Sequence, residues 1–213
     1  MNSKGRRNAL IAALFGCSLL VGLLIYNHRR VGTVLDSYRG VPVYDNGLLF
    51  FRGHGKNYAQ DGYYYGQKWQ CVEFIKRFYH DTKQHKMPDA MGHAKSFYDE
   101  TVSDGGLNTR RGLMQYRNGS IEKPRADDLL VFSDTKYGHV GIVTEAGERT
   151  VEIIQQNILW HTRQRLSLTI SNSHYFITTP RTPAGWLRVP KSGVAAGVSP
   201  AVEPGILPGG VSR

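Results

Sequence analysis

Cys71 lies at a position that suits a thiol nucleophile. It opens a segment whose apolar residues recur at helical spacing over 71–78, while Lys76 and Arg77 are predicted to point outward. A thiol attacks as its thiolate, and the N–H groups and dipole at the start of a helix favour that charged form. The position of Cys71 therefore predicts covalent catalysis by a thiol.

A thiol nucleophile needs a base, and the base needs a partner that orients it. His139 is the candidate base, because it opens a predicted strand directly after Gly138; a solvated or core histidine at a strand end is the alternative. A hairpin with a symmetric turn places Gln155 opposite His139 on the same face, with Asn157 as the rival. A register slip of one residue would put Gln155 on the wrong face.

Amide hydrolysis also needs donors for the oxyanion. The backbone N–H of Cys71 is the natural donor, and the side-chain amides of Gln70 or Gln67 could support it. Trp69 and Tyr65 precede the nucleophile and are candidates for a substrate groove, although Trp69 also suits core packing. The eight histidines are scattered and no CxxC pair occurs, so neither a metal nor a cofactor is expected.

The elements that must position these residues change along the chain. A helix begins near Cys71, and a second is predicted over 94–100, whereas 52–66 and 105–118 read as loops or irregular segments. Strands are predicted at 129–132, 139–145, 150–156, 166–170 and 185–189. This order predicts an α+β domain in which the helix carrying the nucleophile packs on an antiparallel sheet.

The N-terminal segment 9–26 is uncharged over 18 residues, about 27 Å as a helix, which is close to the hydrocarbon thickness of a bilayer. It is predicted to be an uncleaved transmembrane signal anchor, with a cleaved signal peptide as the alternative. The run that ends at Cys17 loosely resembles the lipobox of a lipoprotein, but it is interpreted as part of the membrane helix. The basic residues before the segment slightly outnumber those after it, which favours a cytoplasmic N-terminus and a domain facing the periplasm or exterior.

The remaining organisation follows from composition and charge. Residues 1–8 form a basic tail, 31–189 the globular domain, and 191–213 a Gly/Pro-rich tail that is expected to be disordered. The net charge is +10, but five basic residues flank the apolar segment, which leaves 22 basic against 17 acidic residues. Nucleic acid is therefore not an expected partner. With cysteines only at Cys17 and Cys71, no internal disulfide is expected.

The sequence YGQKWQCVEF at 65–74 resembles the nucleophile motif of CHAP domains, the cysteine, histidine-dependent amidohydrolases/peptidases. It is most similar to the branch that includes glutathionylspermidine amidase. Segments 40–47, 124–132, 138–143 and 155–157 also resemble that branch, so the likeness covers roughly 40–189. The resemblance implies a papain-like α+β fold and amide hydrolysis through a thioester acyl-enzyme, with Cys71 as nucleophile and His139 as base.

Two positions depart from the family pattern. Gln155 stands where the amidase branch generally has Glu; a carboxylate stabilises an imidazolium more than an amide does, although an amide can still orient the ring. Activity with a weaker third residue is therefore expected. Asp127 replaces the usual Gly before Asp128, which should be harmless because Asp tolerates left-handed backbone.

Three functions are consistent with these residues. The first is a cell-envelope amidase or endopeptidase that acts on peptide amides such as those of peptidoglycan, which the anchor favours. The second is an amidase for a glutathione–polyamine-type conjugate, which the motif favours. The third is a catalytically inactive module that binds cell wall or a partner, which the departure at Gln155 suggests.

Overall fold

The computed structural model describes residues 3–49, 51–89, 91–158 and 161–191. The predicted disordered tail lies outside the described residues except for Lys191. Two α-helices, one 3₁₀ helix and twelve strands are described: α1 Ser3–Arg30, β1 Val34–Tyr38, β2 Val41–Tyr44, β3 Lys56–Tyr58, β4 Tyr64–Gln67, α2 Cys71–Lys83, the 3₁₀ helix Ala94–Phe97, β5 Gly106–Asn108, β6 Leu113–Arg117, β7 Leu129–Phe132, β8 His139–Ala146, β9 Thr150–Ile154, β10 Arg163–Ser171, β11 His174–Thr178 and β12 Pro183–Arg188.

An eight-stranded antiparallel sheet forms the body of the domain, in the order β11-β10-β9-β8-β7-β12-β6-β5. The antiparallel sheet and the mixed α and β composition were predicted, and both are confirmed. The central strands are the apolar ones, and β7 is buried along its whole length. They place the start of β8 inside the domain, which matters for the site described below.

Several short elements differ from the sequence prediction. The segments predicted as loop or irregular contain two hairpins, β3–β4 and β5–β6, and β11 was not predicted. These strands are short and partly exposed, so polar residues and turn glycines hide their period. The predicted helix over 94–100 is a single 3₁₀ turn that ends at Phe97.

Helix α2 packs on the sheet through the predicted apolar face. Phe74, Ile75 and Phe78 are fully buried in one cluster with residues of β7, β8 and β2. The outward placement of Lys76 and Arg77 is wrong, since both are buried. The β3–β4 hairpin covers Lys76, whose ammonium lies over two tyrosine rings of that hairpin. Strand β2 covers Arg77, which donates to the carbonyl of Pro42 at 2.8 Å.

Helix α1 is long and apolar enough to cross a membrane, with a mean hydropathy of 2.4 over its most apolar window. Its last turn is joined to the domain. The N–H of Leu48 donates to Asn27 Oδ1 at 2.6 Å, and Arg30 forms an ion pair with Asp45 at 2.7 Å. The backbone N–H of Gly32 also donates to the carbonyl of Asp45 at 2.9 Å. The end of α1 and the domain are therefore held together by polar contacts as well as by the chain.

We predict that Phe78→Ala lowers the free energy of unfolding by about 3–5 kcal/mol, because it leaves a cavity in the centre of the α2 packing. Phe78 stacks on Tyr38, with ring centroids 5.6 Å apart, and is fully buried. Urea unfolding of the detergent-solubilised chain, followed by circular dichroism, measures the change. The matched control is Ile121→Ala, an exposed apolar position, with an expected change within about 0.5 kcal/mol. Equal losses in the two variants would contradict this account of the core.

Candidate active site

Cys71 is the first residue of α2 and is half-buried. Burial raises the pKa of its thiol to about 11, although backbone N–H groups, that of Val140 first among them, act in the opposite direction. The sulfur therefore lies beside the start of β8, and its resting form at neutral pH is the thiol. This direction is opposite to the one that the helix start alone predicts, because loss of water around the sulfur outweighs the favourable N–H groups.

His139 is the first residue of β8 and is buried. Its Nε2 lies 3.1 Å from Gln155 Oε1, and the Gln155 amide nitrogen in turn faces Gln164 Oε1 at 3.5 Å. An acceptor at Nε2 places the ring proton there, so Nδ1 is left to act as base. Burial, followed by the positive charge of Arg181, lowers the pKa of His139 to about 4, which keeps the imidazole neutral at pH 7.

The β8–β9 hairpin lacks the symmetric turn that the sequence predicts. Glu145 faces Glu152 near the turn, and a register irregularity between Val143 and Glu145 then sets Ile142 opposite Ile154. At Ile142 the register differs from the predicted one by two residues. Because the offset is even, Gln155 keeps the face predicted for it and lies diagonally from His139. Gly141 packs closely on β9: a Cβ there would lie 3.2 Å from the Ile154 carbonyl oxygen and 3.5 Å from the Gln155 Cβ.

Asn157, the rival partner for His139, lies beside Gln70. Among the described residues, it forms no hydrogen bond with His139. Asn157 Nδ2 donates to Gln70 Oε1 at 2.6 Å, and its Oδ1 accepts from Asn46 at 2.9 Å. The Gln70 amide nitrogen donates to the carbonyl of Arg52 at 3.1 Å. These contacts fix the residue that precedes the nucleophile. They tie the Gln70 amide to neighbouring groups, which is a different arrangement from a donor held ready for an oxyanion.

The two aromatic groove candidates lie in different places. Trp69 is half-buried and packs on Tyr44, with ring centroids 4.1 Å apart. Tyr65 is buried, and its hydroxyl contacts Asp81 at 2.8 Å and His80 at 3.0 Å in the last turns of α2. The structure therefore places Tyr65 toward the opposite end of the helix from the nucleophile. Gln67, the other candidate amide, is exposed at the end of β4.

An ion pair that sequence reasoning missed stands beside the site. Arg181 Nη2 lies 2.9 Å from Asp134 Oδ1, and its guanidinium lies 4.9 Å from the ring centroid of Phe132. Phe132 pairs across the sheet with His139, and their ring centroids are 6.2 Å apart. The positive charge of Arg181 adds to the lowering of the His139 pKa. At Cys71 the same charge acts against the rise in pKa that burial causes. Arg181 lies in the loop after β11, a strand that was not predicted. The one sequence signal for Arg181 is its position shortly before the predicted last strand.

A cleft of about 460 Å³ opens beside Gln155. It runs between the end of α1, the segment after β2 and the segment after β9, and its lining includes Arg30, Tyr44, Asn46, Leu48, Gln155 and Asn157. The cleft therefore reaches the partner of the candidate base. No group of three or more His, Cys, Asp or Glu side chains is placed to hold a metal ion within the described ranges.

Part of the chain is similar to known proteins. Trypanothione synthetase of Crithidia fasciculata is 32% identical over 124 residues, 57% of this chain and 19% of that protein. The bifunctional glutathionylspermidine synthetase/amidase of Escherichia coli (strain K12) is 36% identical over 110 residues, 46% of this chain and 17% of that protein. The alignments thus span less than a fifth of either relative. The CHAP domain family matches residues 61–157, a stretch that contains Cys71, His139 and Gln155. The resemblance to CHAP domains noted in the sequence is thereby confirmed over residues 61–157.

Proposed function

We propose that this CHAP domain hydrolyses amide bonds, with Cys71 as nucleophile, His139 as base and Gln155 as the residue that orients the base. The observation that carries the proposal is the placement of these groups. Cys71 packs against the buried cluster that contains Val140, the residue after His139, and His139 Nε2 lies 3.1 Å from Gln155 Oε1. This leaves Nδ1 of His139 as the nitrogen for the thiol proton.

The chemistry starts from a neutral pair, since burial raises the pKa of Cys71 and lowers that of His139. Sγ attacks the amide carbonyl carbon while its proton passes to Nδ1 of His139. The carbonyl oxygen becomes an oxyanion, which the backbone N–H of Cys71 stabilises. The C–N bond then breaks as His139 returns the proton to the leaving amine, and a thioester forms. Water, activated by His139, hydrolyses the thioester and releases the acid and the thiol.

Gln155 supports this cycle as a neutral partner. Its oxygen accepts the Nε2 proton, which fixes the ring and leaves Nδ1 unprotonated in the neutral imidazole. A carboxylate at this position would stabilise the imidazolium that forms during the cycle, and an amide does so more weakly. We therefore expect catalysis that depends on orientation of the ring more than on stabilisation of its charge.

Two substrate classes follow from different observations. The apolar helix α1 favours amides of the cell envelope, such as peptidoglycan peptides, because it would hold the domain at a membrane with the domain outside the cytoplasm. The named relatives favour a glutathione–polyamine-type conjugate, since one of them is a glutathionylspermidine synthetase/amidase. That the fold is papain-like is part of the proposal that this domain is a cysteine amide hydrolase. A module that binds such ligands without cleaving them is the competing function.

We predict that Cys71→Ala abolishes hydrolysis, and that His139→Ala lowers kcat/KM by about 10²- to 10⁴-fold through loss of general base catalysis. The assay supplies purified chain with peptidoglycan peptides or with glutathionylspermidine and detects the released amine by mass spectrometry. The matched control is Cys17→Ala, which removes the other cysteine, on α1, and keeps full activity. Binding without hydrolysis of either substrate by the wild type would overturn the enzyme proposal in favour of the binding module.

The pH dependence tests the neutral pair. The base works only as neutral imidazole, so kcat/KM should stay level as the pH falls and decline only near pH 4, the lowered pKa of His139. Gln155→Glu should raise that pKa and move the decline to higher pH, because a carboxylate favours the imidazolium. Gln84→Glu, the same change at an exposed site at the end of α2, should leave the profile unchanged. A wild-type decline centred near the ordinary histidine pKa would contradict a buried neutral base.

The orientation of α1 is tested separately. We predict that alkaline phosphatase fused to the C-terminus is active in cells and that a fluorescent protein at the same point is dark, because the N-terminal basic residues should stay in the cytoplasm. The control is the same pair of fusions without residues 1–30, which should give the opposite result. Fluorescence from the full-length fusion would show that the domain faces the cytoplasm, which would remove the argument for an envelope substrate.

A further inference from the structure

Apolar side chains are exposed around the point where α1 meets the domain. Val34 and Leu35 of β1 are 60% and 49% exposed, and Leu49 and Phe51 of the segment after β2 are 41% and 74% exposed. We call these four residues the apolar collar. Soluble surfaces rarely expose several large apolar side chains in one region, and such groups usually mark an interaction site.

The depth of the collar follows from its contacts with α1. Asn27, which accepts the Leu48 N–H at 2.6 Å, directly follows Tyr26, the last residue of the uncharged segment. A helix rises about 1.5 Å per residue, so the Leu48 backbone lies level with the end of that segment. Close packing holds it there: a Cβ on Gly47 would lie 2.5 Å from Asn27 Oδ1 and 2.9 Å from Val31 Cγ2.

Basic side chains border the collar. Arg29 lies at the end of α1, and Arg52 and Lys56 follow Phe51; all three are exposed. Apolar side chains next to Arg and Lys are the combination found where proteins enter the boundary between lipid headgroups and acyl chains. The basic groups then face phosphate, and the apolar groups replace water contacts with acyl-chain contacts.

We propose that the apolar collar enters the lipid interface beside α1, so that the domain sits directly on the bilayer instead of extending away from it. The proposal rests on α1 spanning the membrane, which is part of the proposed function, but not on any catalytic step. A bilayer is the occupant that the geometry favours over a second copy or another protein, because Leu48, which precedes the collar residue Leu49, is hydrogen-bonded to α1 where its uncharged segment ends.

This seating has a consequence for the cleft. Arg30 and Leu48 line it, as does Gln155, and Leu48 directly precedes the collar residue Leu49. A domain seated through the collar would open this cleft at the membrane surface. An amide presented at the bilayer surface, either on a molecule attached to a lipid or on a polymer lying against the membrane, would then meet the side of the site that holds Gln155.

Fluorescence quenching in vesicles tests the proposal. The full chain carrying Cys17→Ser, Cys71→Ala and Phe51→Cys is labelled with an environment-sensitive fluorophore and reconstituted in phosphatidylcholine/phosphatidylglycerol vesicles. The matched control labels Ile121→Cys in the same background, since Ile121 is a similarly exposed apolar residue (65%). A third sample carries only Cys71→Ala, so its label is on native Cys17. Nitroxides are supplied on lipids near the headgroup or at mid-bilayer.

We expect the label at position 51 to shift to shorter wavelength and to be quenched by the shallow nitroxide several-fold more than the label at position 121, while Cys17 is quenched by the deep one. Equal quenching at 51 and 121, with Cys17 quenched, overturns the seating of the collar. An unquenched label at Cys17 overturns the proposal at its premise, that α1 spans the membrane. If the emission of the label at position 51 shifts without lipid as the protein concentration rises, the collar is assigned to self-association instead. All samples lack the nucleophile, so none of these outcomes depends on whether the domain is an enzyme.

Discussion

The buried carboxylate of Glu73 is the constraint around which the domain is organised. Glu73 is fully buried one turn into α2, and an ionised group in such a place is tolerated only if it is paired and hydrogen-bonded. Arg77 Nε, Asn57 Nδ2 and Gln156 Nε2 each donate to it at 2.7 Å. These donors come from α2 itself, from β3 and from the segment after β9. Satisfying one charge therefore joins three parts of the chain that are far apart in sequence.

The candidate site depends on the same constraint. Gln156 donates to Glu73 and to the carbonyl of Gln70, and it accepts the N–H of Tyr44 at 2.8 Å. Its neighbour Gln155 points to the other face and reaches His139. The end of the β8–β9 hairpin is thus held from both sides, by a charge on one and by an imidazole on the other. Displacing Gln156 would displace the partner of His139, so a residue other than Cys71, His139 and Gln155 can still determine the geometry of the proposed site.

Much of this arrangement could be predicted from the sequence, where the pattern itself is strong. The apolar spacing of α2, the buried strand β7 and the uncharged run of α1 each depend on local composition, and the structure contains all three. The polar hairpin β3–β4 was missed, because its strands are too short to show a period. That omission also explains the error at Lys76, which the hairpin covers. Arg77 is buried for a different reason, its contact with the Pro42 carbonyl of β2.

Protonation and neighbouring charge were the least predictable features, since they depend on how three-dimensional packing removes water. A helix start favours a thiolate, yet burial raises the pKa of Cys71, and the Arg181–Asp134 ion pair comes from two loops that no local pattern connects. The same burial gives a reason for the amide at position 155. A carboxylate there would be a second buried charge a residue away from the contacts of Glu73, and it would need a protonated His139 to balance it. Arg181 opposes that protonation. A neutral amide orients the ring without this cost, so Gln155 fits a site in which thiol, imidazole and partner are all uncharged until a substrate arrives.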